Sequence, residues 1–269
     1  MTEKDQMKVQ MKSLFTRKTF QYFDLAKKNK KKKEWFLKNK GLYEAAVKEP
    51  YSILLHEIDH RLSRSLPQID INPRKISRPL RPKNKAETMG YVKAGSMFFL
   101  SEKQTSIFEW NPGIYLHLGD EKDDNVIGMG LYGPSSRQIK RLRAALAKDY
   151  KTVDKILADK KLKKYWGGLA PEKYVRFPKD YSPDEAGAKY LWYKQFFLRQ
   201  QFTRKQVLEK GFADHVLKSY EAGLPLFAWI RKSIGVYNRI EMEREKRERM
   251  DLESEGRSST SREVRDSLR

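Results

Sequence analysis

Residues 113–131, GIYLHLGDEKDDNVIGMGL, decide the fold class. Two short segments of strand composition, Gly113–Leu118 and Val126–Leu131, flank an acidic turn-forming run, Gly119–Asn125. Asn111-Pro112 separates them from a further expected strand, Ser106–Trp110. Short strands are also expected near Arg74–Ser77 and Gly95–Leu100, before the acidic turn, and at Tyr174–Phe177 and Lys194–Thr203, after it.

Helical patterns bracket this meander. Residues 15–28 and 34–48 carry apolar positions at helical spacing, and Pro50 suits the first turn of a third helix running to about Leu66. Pro134 opens a helix whose apolar positions are Ile139, Leu142, Leu146, Tyr150, Val153 and Leu157, all on one face. Arg204 to about Tyr237 returns to helix, with breaks expected at Gly211 and Pro225. Helices, then strands, then helices imply an α+β fold with a central antiparallel or mixed sheet, because a parallel sheet would need βαβ alternation. Residues 14–237 read as a single globular domain. Residues 1–13 read as a flexible N-terminus, and 238–269 as a charged helix followed by a disordered tail.

The charge is unevenly placed. The formal net charge is +22, and three blocks hold essentially all of the excess. Residues 1–40 carry 13 basic and 4 acidic side chains, residues 72–93 carry 7 and 1, and residues 137–164 carry 11 and 3. Such clustering points to an anionic partner, with nucleic acid or another polyanion the leading class. Zero Cys excludes disulfides, thiolate metal sites and cysteine nucleophiles, and fits a reducing compartment. No apolar stretch approaches a membrane span, and the opening residues lack a signal-like apolar run. A cytoplasmic protein without membrane insertion is the expectation.

Two motifs carry chemistry in other contexts. His56-Glu57-Ile58-Asp59-His60 matches H-E-x-x-H, in which two His bind zinc and Glu activates water. Here the apolar face of the helix is Leu54, Leu55, Ile58, Leu62 and Leu66, and both His project away from it. The pattern therefore reads as an exposed polar face, and neither metal nor cofactor is assigned. Gly128-Met129-Gly130-Leu131-Tyr132-Gly133 matches G-x-G-x-x-G, but the helix after it leads into more basic helical sequence, not a second strand ending in an acid. It reads as a Gly-rich turn and an ordinary helix cap.

The segment Arg74–Lys93 places Arg78 and Arg81 among prolines, and guanidinium forks suit carboxylate or phosphate. Arg78, Arg81, Lys93, Arg143 and Arg176 are the candidate anion-binding residues, with Arg137, Lys140 and Arg141 an auxiliary basic surface. An enzyme acting on a phosphorylated or carboxylated small molecule is the alternative, with Glu87, Tyr91 or Asp184 as proton-transfer candidates. A third reading is an assembly protein whose tail, 238–269, engages a protein partner.

Dispersed residues resemble a known family, domain of unknown function 2461. Glu34-Trp35-Phe36, Asn39-Lys40, Tyr43, Val47 and Pro50 resemble its N-terminal signature. Gly128, Gly130, Pro134 and Leu142-Arg143 resemble its central motif. Arg176, Pro178-Lys179, Tyr181, Leu191 and Lys194 resemble a later block, and Pro225-Leu226 with Trp229 its ending. The family's pattern R-x-x-R-D-x-R-F finds Lys75, Arg78 and Arg81 at its basic positions, but Pro79 and Pro82 where Asp and Phe stand. Asn84-Lys85 and Tyr91 match its later elements only with shifted spacing. The resemblance implies one globular domain and a retained cationic segment, and it supplies no reaction.

Overall fold

A computed structural model describes residues 14–103, 111–121, 124–235 and Arg247. The expected strand Ser106–Trp110, the N-terminal segment 1–13 and the tail 238–269, Arg247 apart, lie outside the described residues.

The chain opens with helices α1 (Arg17–Lys28), α2 (Lys33–Lys38) and α3 (Lys40–Tyr43). From α3 it passes through one π-helical turn, Glu44–Lys48, straight into α4 (Glu49–Leu62). Pro50 thus stands in the first turn of α4, as expected, but α4 continues the π turn without a break and stops at Leu62, short of Leu66. Proline has no N–H to offer the carbonyl four residues back, that of Ala46. The buried Thr19 hydroxyl donates to that carbonyl at 2.8 Å instead. The proline thus docks α1 onto the continuous helix.

After one 3₁₀ turn, Pro73–Lys75, and the short helix α5 (Lys83–Met89), the sheet begins. Its strands are β1 (Gly95–Leu100), β2 (Gly113–Gly119), β3 (Val126–Leu131) and β4 (Phe196–Gln201), in that spatial order and antiparallel throughout. Arg74–Ser77 forms no strand; it touches the free edge of β1 through a single bridge, Ile76 to Phe98. Tyr174–Phe177 forms none either, and the segment before it joins the β4 side of the sheet through isolated bridges, Leu169–Leu198 and Lys173–Tyr193. Between β3 and β4 the chain makes α6 (Ser136–Ala158), α7 (Lys160–Trp166) and α8 (Ala188–Leu191). It closes with α9 (Arg204–Val207) and α10 (Phe212–Ile234).

Helix α6 starts on a capping box: Gln138 N donates to Ser135 Oγ at 3.3 Å, and Ser135 N to Gln138 Oε1 at 3.0 Å. It bends at Asp149 (φ −135°), whose carboxylate accepts from Trp229 Nε1 at 3.0 Å and Thr152 Oγ1 at 2.6 Å. Gly211 (φ +96°) separates α9 from α10 as expected, but Pro225 does not break α10. Proline leaves the Glu221 carbonyl without its helical donor, and both Pro225 and Glu221 are exposed, so the carbonyl does not have to be satisfied within the core.

The strand period of two sorts the sheet into two faces. Phe98, Leu100, Ile114, Leu116, Leu118, Ile127, Met129, Leu131, Phe196 and Leu198 point one way into the core, each at most 1% exposed. Helix α10 packs there at Gly223, where a Cβ would stand 2.7 Å from Met129 Sδ. Tyr51 of α4 reaches the same face, its hydroxyl donating to Ser96 O at 2.5 Å and accepting from Leu118 N at 3.1 Å. That bridge ties β1 to β2 beside His117. The Tyr220 hydroxyl donates to Tyr115 O at 2.8 Å.

Candidate functional site

The opposite face holds Met97 and Phe99 from β1, Tyr115 and His117 from β2, Val126, Gly128 and Gly130 from β3, and Phe197 and Arg199 from β4. The register arranges them in rows. Met97, His117, Val126 and Gln201 form one, and Phe99, Tyr115, Gly128 and Arg199 the next. A cavity of about 440 Å³ opens on this face, in the size range of small-molecule sites. Asp124, Tyr132, Glu172 and Gln195 reach it from the surrounding loops.

Glycines shape the floor. A Cβ at Gly113 would come within 2.2 Å of the Phe99 ring, and one at Gly128 within 2.1 Å of the Phe197 ring. Both rings thus lie across the sheet, and Tyr132 meets Phe197 edge-on, 5.5 Å between centroids. The cross-strand pair Gly95 and Gly119 does the same for polar groups. His117 Nε2 covers Gly95 and the Asp124 carboxylate covers Gly119, where a Cβ would approach within 3.0 and 2.5 Å respectively.

The electrostatics of the site follow from this geometry. Burial holds the His117 imidazole below its ordinary pKa of 6.5; Asp124, through its charge and a backbone hydrogen bond, pulls the other way, and Lys93 adds to the lowering. Burial therefore favours the neutral form of the ring. Burial pushes the Tyr115 hydroxyl up to about 12. Arg199 Nη1 stands 3.8 Å from Glu172 Oε1, longer than a hydrogen bond, with both side chains partly exposed. Glu172 Oε2 is buried with no hydrogen-bond partner. Gln195 Oε1 accepts from Gly133 N at 3.4 Å.

The family model described as conserved hypothetical protein (DUF2461) matches residues 18–229. The chain belongs to that family. No curated protein and no solved structure matches it. The DUF2461 match spans the whole sheet and every loop that reaches the cavity.

In this DUF2461 chain the residues singled out from sequence fall into separate neighbourhoods. Arg78, Arg81 and Lys93 are grouped beside the entry to β1. Lys93 is half-buried, and burial first, then Arg81, Lys85 and Arg78, lowers its pKa. The Arg81 guanidinium donates to its own loop, at Gly90 O (3.2 Å) and Val92 O (2.9 Å). Arg143 sits elsewhere, its guanidinium 5.1 Å over the Tyr174 ring, which Lys194 also approaches at 5.8 Å. Arg176 is exposed. Arg141 donates to Ile234 O at 2.9 Å and so caps α10; Lys140 is exposed and Arg137 half-buried. Glu87 and Asp184 are exposed, and the Tyr91 carbonyl accepts from Arg81 N at 2.8 Å.

His56 and His60 are exposed, and Glu57 faces Arg61 at 3.7 Å. No cluster of metal-ligating side chains occurs among the described residues. No helix among them is long and apolar enough to cross a membrane. The glycines of G-x-G-x-x-G serve the sheet: Gly128 seats Phe197, and Gly130 takes φ +130° close against the Phe196 carbonyl.

Sequence reasoning missed His117, Asp124, Glu172 and Arg199. A signal for two of them was present. In residues 113–118, Tyr115 and His117 occupy the phase opposite Ile114, Leu116 and Leu118, and Arg199 has the same relation to Phe196 and Leu198. Glu172 has no such periodicity, since only the path of its loop brings it to β4.

Proposed function

We propose that this protein is an enzyme acting on a small carboxylated or phosphorylated molecule bound on the face of the sheet opposite α10. The observation that carries the reading is the partly buried His117 ring in a cavity of about 440 Å³ that also holds an incompletely paired arginine. A neutral imidazole fixed by a backbone hydrogen bond is suited to take a proton from a bound substrate. Arg199 supplies the charge to hold an anionic group, its nearest carboxylate being too far for a hydrogen bond. Phe99, Phe197 and Tyr115 provide an apolar wall, and the rigid strands fix the spacing between the wall and the polar groups.

The four His residues allow a direct test by NMR of their ring resonances. Titration with a panel of small carboxylates and phosphates is expected to shift His117 and to leave the exposed His56 and His60 in place. A panel that moves no His117 resonance, or moves all four rings alike, sinks the proposal.

A second reading, polyanion binding, is supported by the exposed Lys140, Lys148, Lys151 and Lys155 of α6. It predicts DNA or RNA binding that weakens steeply with salt. Mixed-sequence nucleic acid failing to bind at low salt removes it.

A further inference from the structure

We infer that the ligand of this cavity carries an α-amino acid head group, its carboxylate held by Arg199 and its ammonium by Glu172. The inference rests on the small-molecule reading above and adds the chemistry of the recognised group. A carboxylate and a guanidinium side by side, each short of a hydrogen bond to the other, are the complement of a zwitterion. Here the two stand 3.8 Å apart, their side chains 38% and 42% exposed. A solvent-accessible pair at that separation gains little from its own attraction, so replacing it with two ligand contacts loses little.

Glu172 shows the larger deficit. Its Oε2 is shut off from water without a donor, which is costly for a carboxylate oxygen, and rotation about the last side-chain torsion offers either oxygen to an incoming ammonium. An ammonium group supplies three donors in one place. A phosphate or a lone carboxylate would satisfy Arg199 and leave Glu172 facing a like charge.

The walls describe the rest of the molecule. Phe197 lies two residues before Arg199 on the same face, and the Tyr132 ring meets it. An apolar or aromatic side chain on the amino acid therefore packs across the glycine floor while the head group stays at the β4 edge. Neighbouring strands are about 4.8 Å apart, so His117 on β2 lies roughly 10 Å across the sheet from β4. That distance places the imidazole against the body of the ligand instead of its head group.

Three probes separate the contributions: L-phenylalanine, 3-phenylpropionate, which lacks the ammonium, and 2-phenylethylamine, which lacks the carboxylate. Calorimetric titration of the full chain is expected to give L-phenylalanine at least about tenfold higher affinity than either analogue. Glu172→Gln should erase the advantage of L-phenylalanine over 3-phenylpropionate, and 3-phenylpropionate, relieved of the like charge, should bind no more weakly than before. Arg199→Gln should do the same with respect to 2-phenylethylamine. Equal affinity of the wild-type protein for L-phenylalanine and 3-phenylpropionate overturns the head-group assignment, and it does so without any variant. The cavity reading survives that result if 3-phenylpropionate shifts the His117 ring resonances. Should none of the three probes shift them, the head-group assignment falls, and the panel of carboxylates and phosphates decides the cavity reading.

Discussion

The two faces of one sheet divide the work of this protein. The face under α4 and α10 is aliphatic and aromatic from Phe98 through Leu116 to Leu198, and these positions are sealed from water. The other face mixes rings, glycines, an imidazole and an arginine, and bears a cavity. Since alternate residues on the same strands supply both, a strand can be fixed rigidly by one face while the other carries groups chosen for chemistry. Tyr51 and Tyr220 make the connection concrete: their hydroxyls hold the β2 backbone from the core side, and Tyr115 and His117 emerge from that backbone on the other.

The contrast is sharpest in paired substitutions. Leu116→Ala, on the sealed face, is expected to cost about 2–5 kcal/mol through lost contacts and the cavity left behind. Arg199→Gln, on the open face, should stay within about 0.5 kcal/mol in the same denaturant titration. Equal losses would mean that the open face is also structural. Next in size is Gly130→Ala. Its φ of +130° is strained for any L side chain, and the new Cβ would stand 2.5 Å from the Phe196 carbonyl oxygen. A loss of about 1–3 kcal/mol is expected, and an unchanged unfolding midpoint would show that the β3–β4 pairing can relax. Tyr51→Phe should cost about 1–2 kcal/mol, because Ser96 O and Leu118 N lose a buried partner. His117 ring resonances that stay put in that variant would break the proposed link between the two faces.

How far this arrangement was legible in the sequence depended on whether the signal was local. The strand Gly113–Leu118 and the long helix after Ser135 showed themselves because their period matches their burial, and Val126–Leu131, buried throughout, by its composition. The α+β class followed from their order. Pro225 misled because it was weighed as a breaker alone, whereas it lies on the exposed side of α10. Pro50 stands in the first turn of α4 as expected, but its missing bond is replaced by Thr19, distant in sequence. The candidate site was hidden for a different reason. Net charge drew attention to Arg78, Arg81 and Lys93, whereas the cavity is lined by two carboxylates, one arginine and a neutral imidazole. A strongly basic chain thus has a pocket of nearly balanced charge. Composition averages over both, and only the register of four strands separates them.

The smallest expected effect tests whether His117 is as enclosed as the comparison of faces requires. Burial lowers its folded pKa below the unfolded value of 6.5, with the Asp124 charge opposing and Lys93 reinforcing. In the range below 6.5 the unfolded chain therefore takes up the proton first. The stability associated with the neutral ring is complete above that pH and is lost as pH falls through the unfolded and then the folded pKa. His117→Asn removes this loss, so the drop in melting temperature between about pH 7.5 and about pH 5 should shrink relative to wild type. Some of the drop will remain, because burial depresses His215 in the same direction. A variant with the wild-type pH slope would mean that the His117 ring is solvated in both states. The open face would then be an exterior and not a site, since a proton acceptor that pays no cost for its charge is not shielded enough to be held neutral.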